Sequence, residues 1–184
     1  MELAQFQKEG RDFLINHKIA LLADQMRLGK TAQCIAAADK LGAKKILVIC
    51  PATAKITWQR EFEKWSDKNR TIQIVSGTKA IIGDADIIII NYDIVWRYEI
   101  KMQLLKKTFS VGMVDECHYL SGRESNRTNA LLDSTDRTPI LSRCVYKWFI
   151  SGTPLLNRPR DIYPVLAACA PEVIHPYTSF RAFT

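Results

Sequence analysis

The chain has 184 residues, enough for one domain with a hydrophobic core of its own. Apolar residues make up 47% and charged residues 24%, ordinary for a globular domain, and no apolar run approaches the ~18 residues of a membrane-spanning helix. A formal net charge of +7 favours a polyanionic partner, nucleic acid above all. No basic segment followed by an apolar one stands at the N-terminus, so no secretory signal is expected, and the expected location is intracellular and cytoplasmic. The five cysteines (Cys34, Cys50, Cys117, Cys144, Cys169) are odd in number and form no C-x-x-C, which predicts free thiols in a reducing compartment and no zinc site. Cys117 beside His118 reads as a small buried thiol.

In chain order, Leu3 to Ile15 reads as an amphipathic helix with Leu3, Phe6, Gly10, Phe13 and Leu14 on one face and Gln7 beside it. Ile19 to Ala23 is a strand, followed by a loop and a helix from Thr31 to Leu41 that Gly42 ends. Lys45 to Cys50 is an apolar strand, and Pro51 and Thr53 open a helix from Ala54 to Trp65. Strands follow at Thr71 to Val75 and Asp86 to Ile90. Tyr92 to Lys107 reads as helix in one or two pieces, Phe109 to Val114 as strand, and Asn126 to Asp133 as helix after a polar loop. The sixth strand is Val145 to Ile150, with helices expected from Pro159, at a first turn, to Cys169 and within Pro176 to Thr184.

Strands alternate with helices, and the strands are apolar throughout. That predicts an α/β domain whose central sheet is mainly parallel and covered on both faces. Ligands of such sheets bind at the carboxyl ends of the strands. Asp24 to Thr31, Pro51 to Thr53, Asn91-Tyr92, Asp115 to His118 and Ser151 to Thr153 are therefore expected along one edge.

Two of these loops carry chemistry. Gly29-Lys30-Thr31 stands between a strand and a helix, where a close backbone approach, free N–H groups and a positive dipole end suit a polyphosphate. Lys30 can reach the outer phosphates and the Thr31 hydroxyl can hold Mg²⁺. A full phosphate-binding loop begins with Gly six residues before the lysine, and here Asp24 stands there. Asp115 and Glu116 close an apolar strand. Phosphoryl transfer to water needs a metal and a group that orients the water, and these two carboxylates suit the two tasks in that order. The Gln7 amide can donate and accept together, which matches the N6/N7 edge of adenine.

Taken together, Leu3-x-x-Phe6-Gln7-x-x-Gly10, Asp24-x-Met26-x-Leu28-Gly29-Lys30-Thr31, Pro51-Ala52 with Trp58-x-x-Glu61-Phe62-x-Lys64-Trp65, Asn91-Tyr92, Asp115-Glu116-Cys117-His118 and Ser151-Gly152-Thr153-Pro154-Leu155-x-Asn157 resemble the ordered motifs of a helicase superfamily 2 ATPase. The Swi/Snf-like DNA translocases fit best, and within them the annealing-helicase type, because Asn157-Arg158-Pro159 leads into Asp161-Ile162-Tyr163. The resemblance implies a three-layer, RecA-like P-loop NTPase domain spanning the whole chain, lobe 1 of a two-lobe motor. It implies ATP and Mg²⁺ as substrate and cofactor, and double-stranded DNA and a second RecA-like lobe as partners. By the same resemblance Gln7 would read adenine, Asp24 would be an ordinary branch variant, and Gly29, Lys30 and Thr31 would hold phosphates and metal. Asp115 would hold Mg²⁺ and Glu116 would activate water. His118, Ser151 and Thr153 would couple the nucleotide to DNA, and Pro51, Thr53, Asn91 and Tyr92 would lie along the DNA backbone.

The family usually has Glu and Gly where this chain has Gln25 and Arg27, a variant like that of bacterial and phage members, and any residue fits at 27 if the backbone there stays at negative φ. Ser121-Gly122 replaces a usual Lys-Asn, with Arg123 a candidate replacement charge toward DNA. With the arginine finger of such motors on the second lobe, this chain alone is expected to bind ATP weakly and hydrolyse it very slowly. The rival readings are the motor part of a restriction or other DNA-processing enzyme, and a non-catalytic DNA-binding module with a decayed ATP site.

Overall fold

The computed structural model describes residues 2–122, 125–132, 138–154, 158 and 161–174. The elements in chain order are α1 (Gln5–Asn16), β1 (Ile19–Leu22), α2 (Lys30–Lys40), β2 (Ile46–Cys50), α3 (Lys55–Trp65), β3 (Ile72–Ile74), β4 (Ile87–Asn91), α4 (Tyr92–Val95), α5 (Tyr98–Leu105), β5 (Phe109–Asp115), α6 (Asn126–Leu131), β6 (Cys144–Ile150), α7 (Tyr163–Cys169) and α8 (Pro171–Ile174). Short 3₁₀ turns at Ala52–Ala54, Cys117–Leu120 and Ile140–Arg143 join them.

The six strands form one sheet in the order β1-β6-β5-β2-β4-β3, and every pairing is parallel. This is the doubly covered α/β architecture that the apolar strands predict. The reason lies in the alternation of side chains across a strand. In β2, Ile46, Val48 and Cys50 join the core beneath α1, α2 and α3, while Leu47 and Ile49 join the core on the other face with α5, α6 and α7. In β4, Ile87 and Ile89 go one way and Ile88 and Ile90 the other. A strand with both faces buried has no position for a polar residue, hence the unbroken isoleucines.

Two expectations need correction. The first helix does not bury a broad apolar face: Leu14 is fully buried, but Phe6 is 47% and Phe13 41% exposed. The helix lies at the rim and meets α2 and β1 along a narrow stripe through Gly10 and Leu14. The helix expected from Pro159 to Cys169 is observed from Tyr163, with Pro164 in its first turn, and a short helix, α8, follows it. Pro159 and the segment 176–184 lie outside the described residues.

With all strands parallel, their carboxyl ends share one edge. Backbone bonds tie neighbouring loops there: the Ser151 N–H donates to the Leu22 carbonyl at 3.2 Å.

Candidate functional site

The loop between β1 and α2 ends with Gly29 at φ 72° and ψ 35°, a left-handed residue that turns the chain into the helix. A side chain on Gly29 would run into the Gln7 amide. By helix geometry the first N–H groups of α2 have no carbonyl to bond within the helix, so they face the loop as donors. Lys30 lies across that loop, its Nζ donating to the carbonyls of Asp24 and Gln25 at 2.8 Å each. The same ammonium would stand 3.4 Å from a Cβ on Gly152, which brings the loop after β6 to the loop before α2.

Two amides brace the loop. Gln7 Nε2 donates to the Leu28 carbonyl at 3.2 Å while its Oε1 accepts from the Ala4 N–H at 3.0 Å. Gln33 Nε2 donates to the same carbonyl at 3.3 Å and to Asp24 Oδ2 at 3.1 Å. Gln33 is fully buried, and its Oε1 points at Gly10 of α1 with no hydrogen-bond partner among the described residues. Asp24, at the place of a usual glycine, is thus the acceptor that fixes the loop from beneath. Arg27 does not meet the negative-φ condition: it stands at φ 66°, so the loop keeps the shape a glycine would give it.

β5 delivers the carboxylates. Asp115 Oδ2 accepts from the Trp58 indole N–H at 2.8 Å, and Oδ1 from the Glu116 N–H at 3.0 Å. Its carbonyl accepts from the Tyr92 hydroxyl at 2.6 Å. Burial raises the Asp115 pKa above the ordinary carboxyl value; the Trp58 bond opposes this, and the charges of Glu116 and Lys30 act in opposite senses. Glu116 is left-handed, at φ 50° and ψ 52°, which swings its side chain off the strand line. Its Oε2 lies 3.1 Å from His118 Nδ1 and accepts from the Ser151 hydroxyl at 3.4 Å. Ser151 is buried and also accepts from the Thr153 N–H at 3.1 Å. His118, Ser151 and Thr153 therefore form a chain that ends on Glu116. Cys34, fully buried under the site, is held neutral first by burial and then by Asp115 and Asp24, with Lys30 opposing.

The residues fit a magnesium-bound polyphosphate. No group of three or more His, Cys, Asp or Glu that could hold a metal occurs among the described residues. Mg²⁺ does not need such a cage, since one carboxylate, a hydroxyl and phosphate oxygens satisfy it. Asp115 and Thr31 would supply the hard oxygens, and Lys30 and the α2 N-terminus the positive edge.

The family model of the SNF2-related domain matches residues 6–184. The chain belongs to the SNF2-related family. It is 31% identical over 185 residues to the SWI/SNF-related matrix-associated actin-dependent regulator of chromatin subfamily A-like protein 1 of Bos taurus, covering 98% of this chain and 18% of that protein. It is 26% identical over 187 residues to the DNA annealing helicase and endonuclease ZRANB3 of Bos taurus, covering 97% of this chain and 17% of that protein. The solved Sulfolobus solfataricus SWI2/SNF2 ATPase core in complex with dsDNA shares the fold at a TM-score of 0.79 and 22% identity, over 100% of this chain and 38% of that one. The chain spans less than a fifth of the length of these curated relatives.

Within this SNF2-related domain, Pro51 and the exposed Thr53 stand in the turn after β2, at the open edge. Asn91 and Tyr92 do not offer the side chains expected of a DNA track. Tyr92 is 1% exposed and spends its hydroxyl on Asp115, and Asn91 is bonded to Lys55 and Asp93. Their position after an apolar strand is right, but they brace the site from inside. Arg123, Leu155 and Asn157 lie outside the described residues. Two residues of the site lacked a sequence-based role. Gln33 is a polar residue amid Ala32, Cys34, Ile35, Ala37 and Ala38, and that contrast was its signal. Trp58 read as part of an apolar helix face, yet a buried indole N–H needs an acceptor, and Asp115 is that acceptor.

Proposed function

We propose that this chain is the ATP-binding lobe of a DNA-dependent ATPase that tracks along double-stranded DNA and hydrolyses ATP to ADP and phosphate when paired with a second RecA-like lobe. The observation that carries the reading is the convergence of Lys30 with the Asp115-Glu116 pair at one sheet edge, with Glu116 linked through His118 and Ser151 to the next loop. Gln7 sits at the loop with both ends of its amide facing polar groups, as a residue reading adenine would. Mg²⁺, held by Thr31 and Asp115, would neutralise phosphate charge as the outer phosphoryl group leaves. Lys30 would bind the outer phosphates, and Glu116 would orient water and take its proton. Thr153, through Ser151, would tell Glu116 whether the DNA side is engaged. Pro51 and Thr53 would lie against the DNA backbone, and the basic balance of the chain supports sequence-independent grip. The matches to relatives of annealing-helicase type support that branch; Arg27 supports its bacterial or phage-like side, and the free thiols accord with a cytoplasmic setting.

The test separates binding from chemistry. A fluorescent ATP analogue should bind this chain in the presence of Mg²⁺. Lys30→Ala should lose that binding, whereas Glu116→Gln should keep it and lose whatever slow turnover the chain has. Steady-state hydrolysis by this chain alone should stay far below that of a version joined to a second lobe, since an arginine finger contributes about 10³-fold or more. Strong DNA-stimulated turnover by the single lobe would overturn the two-lobe reading.

A further inference from the structure

On β5, the alternation that sends Val111 and Met113 into the core beneath α1, α2 and α3 sends Asp115 toward the same side. There α3 meets it. Trp58 is 2% exposed, and its indole N–H donates to Asp115 Oδ2 at 2.8 Å. The other oxygen, Oδ1, accepts from the N–H of Glu116, its neighbour in sequence. Among the described residues, Trp58 is thus the donor that reaches this carboxylate from another element of the fold. Lys30, the cation of the site, gives its Nζ to the carbonyls of Asp24 and Gln25 instead.

The aim of the indole is itself fixed. Lys55, at the start of α3, donates to the Val75 carbonyl at 3.0 Å, to Ser76 Oγ at 3.1 Å and to Asn91 Oδ1 at 3.3 Å. The first turn of the helix is therefore tied to the residues after β3 and to the end of β4. Phe62, one turn after Trp58, packs on it at 6.0 Å between ring centres. From the other side of the sheet the Tyr92 hydroxyl holds the Asp115 carbonyl at 2.6 Å, so the backbone and the carboxylate are fixed by different helices. A carboxylate can accept about four hydrogen bonds or ligands, so these donors stop its rotation and still leave room for a cation. A ligand already held in place has less rotational freedom to lose when the metal arrives.

We propose that Trp58 is the positioning residue of the metal carboxylate: its indole N–H sets the direction of Asp115, and uptake of Mg²⁺ with the nucleotide depends on that N–H more than on the bulk of the ring. The inference rests on the motor reading above.

Two substitutions separate the N–H from the bulk. Histidine places its Nε2 where the indole places its N–H, but lacks the six-membered ring. Phenylalanine keeps a larger apolar ring and has no donor. The readout is the affinity of a fluorescent ATP analogue over a series of Mg²⁺ concentrations and in EDTA, at about pH 8, where an ordinary histidine is uncharged. Trp58→Phe should raise the half-saturating Mg²⁺ roughly ten- to a hundredfold, the usual loss when the hydrogen-bond partner of a metal ligand is removed, with affinity in EDTA unchanged. Trp58→His should stay closer to the wild type than Trp58→Phe, although it removes more packing. Trp65→Phe, which deletes the indole N–H bonded to Glu61 in the same helix, should change neither quantity. The reverse order, with Trp58→His the worse, overturns the proposal, and so does a wild-type Mg²⁺ dependence in both variants. In an Asp115→Asn background Trp58→Phe should add nothing; an undiminished effect there overturns action through Asp115. Where neither variant folds, the wild type carries the test. The indole ¹H–¹⁵N resonance of Trp58 should move when Mg²⁺ joins the nucleotide complex, and that of Trp148, bonded to the His17 carbonyl at 3.3 Å, should not. A Trp58 resonance that stays in place overturns the proposal. If instead Lys30→Ala binds nucleotide as the wild type does, the motor reading itself falls.

Discussion

At the scale of single residues, the site holds groups in states they do not prefer. Arg27 and Glu116 are the non-glycine residues with positive φ among the described residues, and both lie in loops of the proposed nucleotide site. A left-handed L-residue costs about 1–2 kcal/mol. Arg27→Gly should therefore leave the chain as stable or up to about 1 kcal/mol more stable, the gain being reduced by the extra freedom of glycine in the unfolded chain. Arg27→Val should cost more than 1 kcal/mol, because a β-branched residue tolerates this region worst. Urea midpoints of the two variants measure this, and a less stable Arg27→Gly would show that the arginine side chain contributes a contact of its own. Asp115 is strained electrostatically. Its folded pKa is raised above the ordinary 3.8, chiefly by burial. As pH rises from 3.8 toward the folded value, the unfolded state releases its proton first, so the folded state binds more protons and stability falls through that window. Above the folded value this contribution is constant. Denaturant midpoints of the wild type and Asp115→Asn between pH 3.5 and 7 should show the variant gaining on the wild type as pH rises. The opposite trend would mean that the Trp58 and Glu116 donors outweigh burial.

At the scale of elements, the strands were legible because burial on two faces leaves only apolar choices, and β2 and β4 state that without ambiguity. The breadth of the α1 face was not legible, because helical periodicity reports which residues share a face and not how much of it a neighbour covers. Phe6 and Phe13 have the right spacing and remain exposed because α2 reaches only the Gly10–Leu14 stripe. That stripe is where the amide support of the loop enters. A methyl group at Gly10 would collide with Gln33 Oε1, and Gln33 is fully buried, so it has little room to yield. Gly10→Ala should cost about 1–3 kcal/mol and also weaken Mg-nucleotide binding, because a displaced Gln33 releases Asp24 and the Leu28 carbonyl. Thermal unfolding and a fluorescent-nucleotide titration read the two effects. Loss of stability with unaltered nucleotide affinity would limit Gln33 to packing.

At the scale of the whole molecule, the parallel sheet converts separate stretches of sequence into one edge. The positions of Lys30 and Thr31, at a helix start after a glycine, and of Asp115 and Glu116, where an apolar strand ends, were legible in the sequence. Trp58 and Gln33 were not, since their roles depend on which side chain a partner element presents across the fold. The same convergence predicts how the molecule responds to its nucleotide. Binding confined to the folded state stabilises by RT ln(1 + [L]/Kd), about 2.7 kcal/mol at a hundredfold excess over Kd. For a chain of this length that corresponds to a rise in Tm of roughly 5–10 °C. Mg-ATP should produce such a shift, ATP with a chelator a smaller one, and Lys30→Ala none. Asp115→Asn should narrow the difference between ATP with and without Mg²⁺, because the proposed metal site would lose its carboxylate. A chain whose Tm does not move at saturating Mg-ATP would instead favour a DNA-binding module with a decayed nucleotide site, and the shared edge would then serve DNA alone.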